Sequence, residues 1–90
     1  MTYYVYILES LTSGFLYKGY TTDYIKRLEQ HNNGESRYTS LHGPWKLVYV
    51  EICINKTSAL KREKQLKRAN KEYLRWLIKQ PSNILLPEKH

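Results

Sequence analysis

Glu63 is the most informative position in this chain for chemistry. Positions 59, 63, 66, 70, 73 and 77 trace one face of a helix, and they read Ala59, Glu63, Leu66, Asn70, Tyr73 and Leu77. A carboxylate in so apolar a stripe needs compensation, because burying it alone costs several kcal/mol. Two kinds of partner answer that need. One is a neighbouring cation, Arg62, Lys64 or Lys67. The other is a divalent metal ion, since Mg²⁺ accepts a single carboxylate and fills its other positions with water and phosphate oxygens.

Tyr24, Arg27 and His31 are spaced three and four apart and line one stripe of a second, shorter helix. Arg27 offers a planar fork of donors to a phosphate, or is a solvated helical arginine. His31 can shuttle protons near neutral pH, or serve as a capping or surface residue near a helix end. The chain has nine tyrosines in ninety residues, and Tyr3, Tyr4 and Tyr6 crowd one strand. Paired phenols would position or deprotonate a water if a nearby cation lowered their pKa from about 10. Half-buried packing in a small sheet accounts for them equally.

The elements that must hold these residues follow from pattern. Tyr3 to Leu8 and Phe15 to Tyr20 are β-branched and aromatic runs around a polar segment that ends at Gly14, the signature of a β-hairpin. With Leu8 facing Phe15, Tyr6 lies opposite Tyr17 and Tyr4 opposite Gly19, while Val5 and Ile7 take the other face. Thr22 as N-cap and Gly34 as stop predict a helix over Asp23 to Asn32, with Ile25 and Leu28 toward a core. Gly34 to Pro44 has loop composition. Trp45 to Ile52 predicts a third strand, with Trp45, Leu47, Tyr49 and Glu51 on one face and Lys46, Val48, Val50 and Ile52 on the other. Thr57 or Ser58 caps a helix from Ala59 that breaks near Ala69 and Asn70, restarts before Trp76 and ends at Pro81. Residues 1–80 are read as one domain and 81–90 as a C-terminal tail.

Charge narrows the partners. Fifteen basic against eight acidic side chains give +7, and residues 51–90 hold most of the excess, with ten basic and four acidic. Such a balance favours a polyanion. Lys61, Lys64, Arg68 and Lys71 fall on a polar face opposite the Glu63 stripe, which is either a solvated face or a track for a phosphate backbone. No apolar run approaches the roughly 20 residues that cross a bilayer, so no membrane partner is expected. The lone Cys53 reads as a small buried hydrophobe, and with no signal-peptide pattern at the start a cytoplasmic location is expected. P-loop, GxGxxG, HExxH and CxxC signatures are all missing from the sequence.

Taken in order, the residues resemble the GIY-YIG nuclease domain from Tyr3 to about Ile78. Tyr4-Val5-Tyr6 stands where that family has Gly-Ile-Tyr, and Tyr17-Lys18-Gly19 where it has Tyr-Ile-Gly. Arg27 and His31 follow on the first helix and Glu63 on the later one. Tyr38-Thr39, Pro44-Trp45 and Leu47 to Glu51 look like the small bacterial members, similar to the nuclease module of the excision-repair incision subunit. Tyr4 and Lys18 are departures from the two motifs. Some relatives carry an Asn after the glutamate, and Asn70 and Asn83 are both available for that place.

The resemblance implies an α+β fold, a three-stranded antiparallel β-sheet flanked by helices. It also implies a phosphodiester hydrolase with one divalent ion, Mg²⁺ or Mn²⁺, per site. By it, Glu63 would hold the metal, Arg27 would stabilise charge on the scissile phosphate and Tyr6 would activate or orient water. Tyr17 would support Tyr6, and His31 would assist as acid, base or hydrogen-bond donor. Lys18 would add a phosphate contact or face solvent. The expectation is a DNA endonuclease, directed by structure with little sequence specificity and allied to DNA repair. A specificity-providing protein partner or dimerisation would supply its targeting. A non-catalytic nucleic-acid-binding module of the same fold is the alternative, and a module docking an acidic protein is a third.

Overall fold

The computed structural model describes residues 1–87. Three strands, β1 (Tyr3–Ser10), β2 (Leu16–Thr21) and β3 (Trp45–Cys53), form one antiparallel sheet in the order β2-β1-β3. Helix α1 (Tyr24–Asn32) and a 3-10 turn at Thr39–Leu41 cover one face, and α2 (Lys56–Arg68) and α3 (Lys71–Ile78) cover the other. The α+β architecture expected from the sequence is therefore the one observed.

Because β1 is the central strand, its side chains are buried on both faces. Val5 and Ile7 join Leu16, Tyr49, Ala59, Leu66, Leu74 and Leu77 in the core under α2 and α3. Tyr6 and Leu8 join Trp45 and Val50 under α1, with Tyr17, Tyr24 and Leu28 packed around them. Alternation along a strand buried on both sides explains why Tyr3 to Leu8 reads as an unbroken apolar and aromatic run.

The hairpin register differs by two residues from the one expected. Tyr6 pairs with Gly19 and Leu8 with Tyr17, because β1 runs on to Ser10, whose amide donates to the Phe15 carbonyl at 2.8 Å and closes a shorter turn. Tyr6 and Tyr17 stay on one face as diagonal neighbours, so the slip preserves the facing while changing what lies under the Tyr6 ring. On β3 the expected alternation fails in the middle. A bulge places Tyr49 opposite Ile7 but Leu47 opposite Leu8, leaving Val48 as the extra residue. Trp45 and Leu47 consequently share the α1 face with Tyr6, whereas Tyr49 and Cys53 turn to the other core.

Helix starts are set by Asx side chains rather than by the hydroxyls expected. Asp23 accepts from the Lys26 amide, Asn55 from the Ser58 amide and Asn70 from the Tyr73 amide, at 3.0, 2.8 and 2.8 Å. The third cap makes the break expected near Ala69 and Asn70, with the chain resuming at once as α3, so Lys71 stands on a different helix from Lys61, Lys64 and Arg68. Ile25, expected toward the core, is exposed, because the α1 stripe facing the sheet runs through Tyr24, Leu28 and His31.

The segment after Pro81 folds back instead of trailing away. Asn83 is buried, donates to the carbonyls of Val48 and Ile78, and accepts from the Val50 amide. It satisfies backbone groups on the outer edge of β3 and at the end of α3, a structural task that accounts for its burial. Ser82 reaches the buried Tyr49 hydroxyl at 2.9 Å, and Tyr49 also donates to Glu51, which is paired with Arg62. The last three residues of the expected tail lie outside the described residues.

Candidate active site

The site begins at Gly19. A Cβ built there would stand 2.5 Å from the Tyr6 hydroxyl oxygen and 2.7 Å from the carbon that bears it. Only a residue without a side chain leaves room for the Tyr6 ring to lie across β2, the edge strand, and present its phenol at the sheet margin.

The phenol is held by a buried relay. Tyr6 Oη lies 2.9 Å from His31 Nε2, and His31 Nδ1 lies 2.7 Å from Thr39 Oγ1. Thr39 Oγ1 is 3.5 Å from the Ser36 carbonyl, to which its proton is directed. Its lone pair then accepts from His31 Nδ1–H, which leaves Nε2 as the acceptor for the Tyr6 hydroxyl. Thr39 is fixed in turn by the Trp45 indole, which donates to its carbonyl at 2.7 Å. His31 is 1% exposed, so the capping or surface role open to it in the sequence does not apply.

Burial sets the protonation of this pair. It pushes the Tyr6 phenol up to about 12, with the Arg27 guanidinium beside it offsetting part of the rise and the charges of Tyr17 and Glu63 adding to it. Burial, with a smaller contribution from Arg27, brings His31 down to about 4. Both groups are therefore neutral near pH 7. The expectation of a phenol acidified by its neighbours is not met by the protein alone, since desolvation outweighs one arginine.

Arg27 and His31 come from α1, and Glu63 from α2 in the opposite layer, past the β2 edge. The Glu63 side chain is only 14% exposed and pairs with Lys67 at 3.4 Å, one helical turn on. Arg62, the other candidate partner, is committed to Glu51. Among the described residues no three His, Cys, Asp or Glu side chains converge on one point. The donor set thus fits a hard cation that takes one carboxylate and completes its shell with water and substrate oxygens, and no other kind.

Tyr17 packs edge-on to His31, with centroids 5.0 Å apart, and at 6.4 Å from Tyr6. It walls the relay without bonding to it. Lys18 points to the α2 side, where its amine donates to the Leu16 carbonyl, and burial together with the Lys67 charge lowers its pKa. Lys61, Lys64, Arg68 and Lys71 are all exposed. The structure thus gathers Tyr6, Tyr17, Arg27, His31 and Glu63, and leaves the four basic residues on the outer surface.

Residues 2–75 match the GIY-YIG catalytic domain. The chain belongs to the GIY-YIG family. It is 42% identical over 79 residues to a UPF0213 protein of Syntrophus aciditrophicus, which covers 86% of this chain and 90% of that one. A UPF0213 protein of Staphylococcus saprophyticus is 41% identical over 71 residues, covering 78% and 85% of the two chains. The solution NMR structure of a UPF0213 protein from Bacillus halodurans superposes with a TM-score of 0.58 at 32% identity, covering 94% of this chain and 90% of that one.

The GIY-YIG assignment places the chain in a nuclease superfamily. Both motifs now have a physical reading. The tyrosine of the first is the buried phenol, and the glycine of the second is the space it occupies. Tyr4, which replaces the first glycine, stacks edge-on against Tyr24 of α1 at 4.9 Å, so the departure is absorbed by packing outside the relay. Thr39, the anchor of His31, carries no role in the sequence reading. No residue-type rule singles out a threonine that far from its histidine.

Proposed function

We propose that this protein is a divalent-metal-dependent endonuclease that hydrolyses phosphodiester bonds in DNA, directed by DNA structure and with little sequence specificity. The observation that supports this best is the Tyr6 phenol held over Gly19, with the neutral His31 acceptor on one side and the Arg27 charge on the other. A core-packing role would require neither a buried base bonded to a phenol nor a guanidinium close enough for its charge to act on that phenol.

Glu63 would hold Mg²⁺ or Mn²⁺, one ion per site. When bound, the ion supplies positive charge beside the phenol and against the scissile phosphate. Without it, burial keeps the phenol protonated and the imidazole neutral, so moving the phenol proton onto His31 is uphill. Tyr6 on its own therefore orients water by hydrogen bonding and is a poor base. Beside the Arg27 charge, Tyr6 would take a proton from the attacking water as its own passes to His31 Nε2. Arg27 binds the non-bridging phosphate oxygens and neutralises the charge that grows on them as water adds to phosphorus. Tyr17 keeps the His31 ring in plane for the relay, and Lys18 with the exposed lysines of α2 meets the flanking phosphates. Targeting to a particular DNA structure, including any role in repair, would come through a protein partner or from the DNA itself.

Cleavage of supercoiled, single-stranded and branched DNA with Mg²⁺ or Mn²⁺ tests the proposal. Cleavage that requires metal and is lost in a folded Glu63→Gln variant is the expected result. DNA binding with no cleavage of any of these would replace it with the non-catalytic module.

A further inference from the structure

One row of side chains is not used by this reading. From Tyr17, at the wall of the relay, aromatic rings continue outward through Tyr38 and His42 to Phe15, in steps of 5.9, 5.7 and 5.1 Å between centroids. Tyr17 and His42 are half-buried, whereas Tyr38 is 53% and Phe15 51% exposed. Neither outer ring contributes to the two cores.

The platform under these rings is rigid. Ser10, itself buried, donates to the His42 carbonyl at 2.6 Å and accepts from the amides of Thr12 and Ser13. The Leu11 amide donates to the Pro44 carbonyl at 2.9 Å. The β1–β2 turn that carries Phe15 is thereby pinned to the loop that carries His42. Exposed aromatics held on fixed backbone lose little entropy on binding a flat partner, which is the economy of stacking surfaces.

We infer that Tyr38, His42 and Phe15 form a stacking track for unpaired bases of a DNA strand leading into the active site. Duplex bases are already stacked on one another and offer no face to a side chain; bases of a single strand do. The ring steps exceed the rise of about 3.4 Å per nucleotide within one strand of a duplex, so the row suits an extended strand. The exposed Arg37 next to Tyr38 puts a cation beside the rings, which favours an anionic strand over an apolar peptide on this surface. The inference rests on the nuclease reading for its direction, and it narrows the substrate to DNA carrying unpaired nucleotides beside the scissile bond.

The test measures DNA affinity by fluorescence anisotropy, at one salt concentration and without metal, for wild type and for Phe15→Ala/Tyr38→Ala. The probes are an oligothymidine and a blunt duplex of equal length. Wild type should prefer the single strand, and the double variant should lose roughly 10-fold or more on it while its duplex affinity changes less than about 2-fold. Phe15→Trp/Tyr38→Phe should retain the preference, which separates stacking from a folding defect. Equal losses on both probes, or no preference in wild type, overturn the track. Unchanged affinity for both would also overturn it and leave the surface to a protein partner. Because these readings need no cleavage, an absence of nuclease activity would count against the proposed function without deciding the track.

Discussion

Gly19 lies directly opposite Tyr6 in the hairpin, and the tyrosine ring occupies the volume that any side chain at position 19 would need. The contact ties the second half of the sequence signature to the first. Gly19→Ala is expected to push the phenol off His31 and to cost about 1–3 kcal/mol, as overpacking does in tight cores. Cleavage should fall while duplex affinity stays near wild type. An alanine variant with full activity and unchanged thermal stability would mean that the ring moves freely over β2.

Tyr6→Phe removes the hydroxyl and keeps the ring. Turnover should collapse with affinity for DNA retained, since the phenol acts only on the attacking water. His31 Nε2 is then left buried without its donor, which adds a stability loss of roughly 1–3 kcal/mol. Steady-state cleavage alongside binding distinguishes the cases: equal losses in both would place Tyr6 in folding rather than in chemistry.

Protonation of His31 makes stability depend on pH. Above pH 6.5 the imidazole is neutral in the folded and the unfolded chain alike; below it, the unfolded chain takes up a proton that the folded chain refuses until about pH 4. Stability is therefore complete above pH 6.5 and falls as pH drops toward 4, by about 3 kcal/mol for this group. Urea melts across that window should show the slope in wild type and a flatter profile in His31→Gln. The same slope in both would assign it to other groups.

The sequence made the chemistry more legible than the geometry. Arg27, His31 and Glu63 stand out because each is a residue type that helices bury only with a reason; Arg27 and His31 share one stripe of α1 as their spacing requires, whereas Glu63 stands on α2 and its relation to them depends on the fold. Strand register and cap positions were less legible. The hairpin register differs by two residues because β1 runs on to Ser10 and shortens the turn, and alternation on β3 fails at Val48 because a bulge inserts a residue that period-two patterning cannot foresee. Asn83 shows the same limit. Its burial follows from the carbonyls and amide at the open edge of β3 and the end of α3, a demand invisible until β3 and the chain after α3 lie side by side.

That demand sets a further expectation. Asn83→Ala removes the partner of the Val48 and Ile78 carbonyls and of the Val50 amide at once. Each buried group left unpaired costs about 1–3 kcal/mol, so the variant should be among the least stable single substitutions in the chain. Hydrogen exchange at Val50 and Ile84, whose amide donates to the Val50 carbonyl, reports it directly. Protection at both should drop before protection in β1. Unaltered exchange there would mean that the segment after Pro81 adds nothing to β3.

The basic residues of α2 differ in their bearing on Glu63, and the difference can be measured. At about 100° per residue, Lys67 lies roughly 40° and Lys64 roughly 100° around the helix from Glu63, whereas Lys61 and Arg68 lie roughly 160° and 140° away. A strand whose phosphate reaches Glu63 passes Lys67 and Lys64 first. Each phosphate contact contributes about 0.7–0.9 to the slope of log affinity against log salt. Lys64→Ala should therefore reduce that slope by nearly one contact, and Lys61→Ala by much less. Lys67→Ala should do so as well, and it also frees Glu63 from its 3.4 Å ion pair. Equal slopes for the Lys61 and Lys64 variants would mean that DNA follows the outer face of α2, away from the carboxylate, and would detach the basic surface from the site.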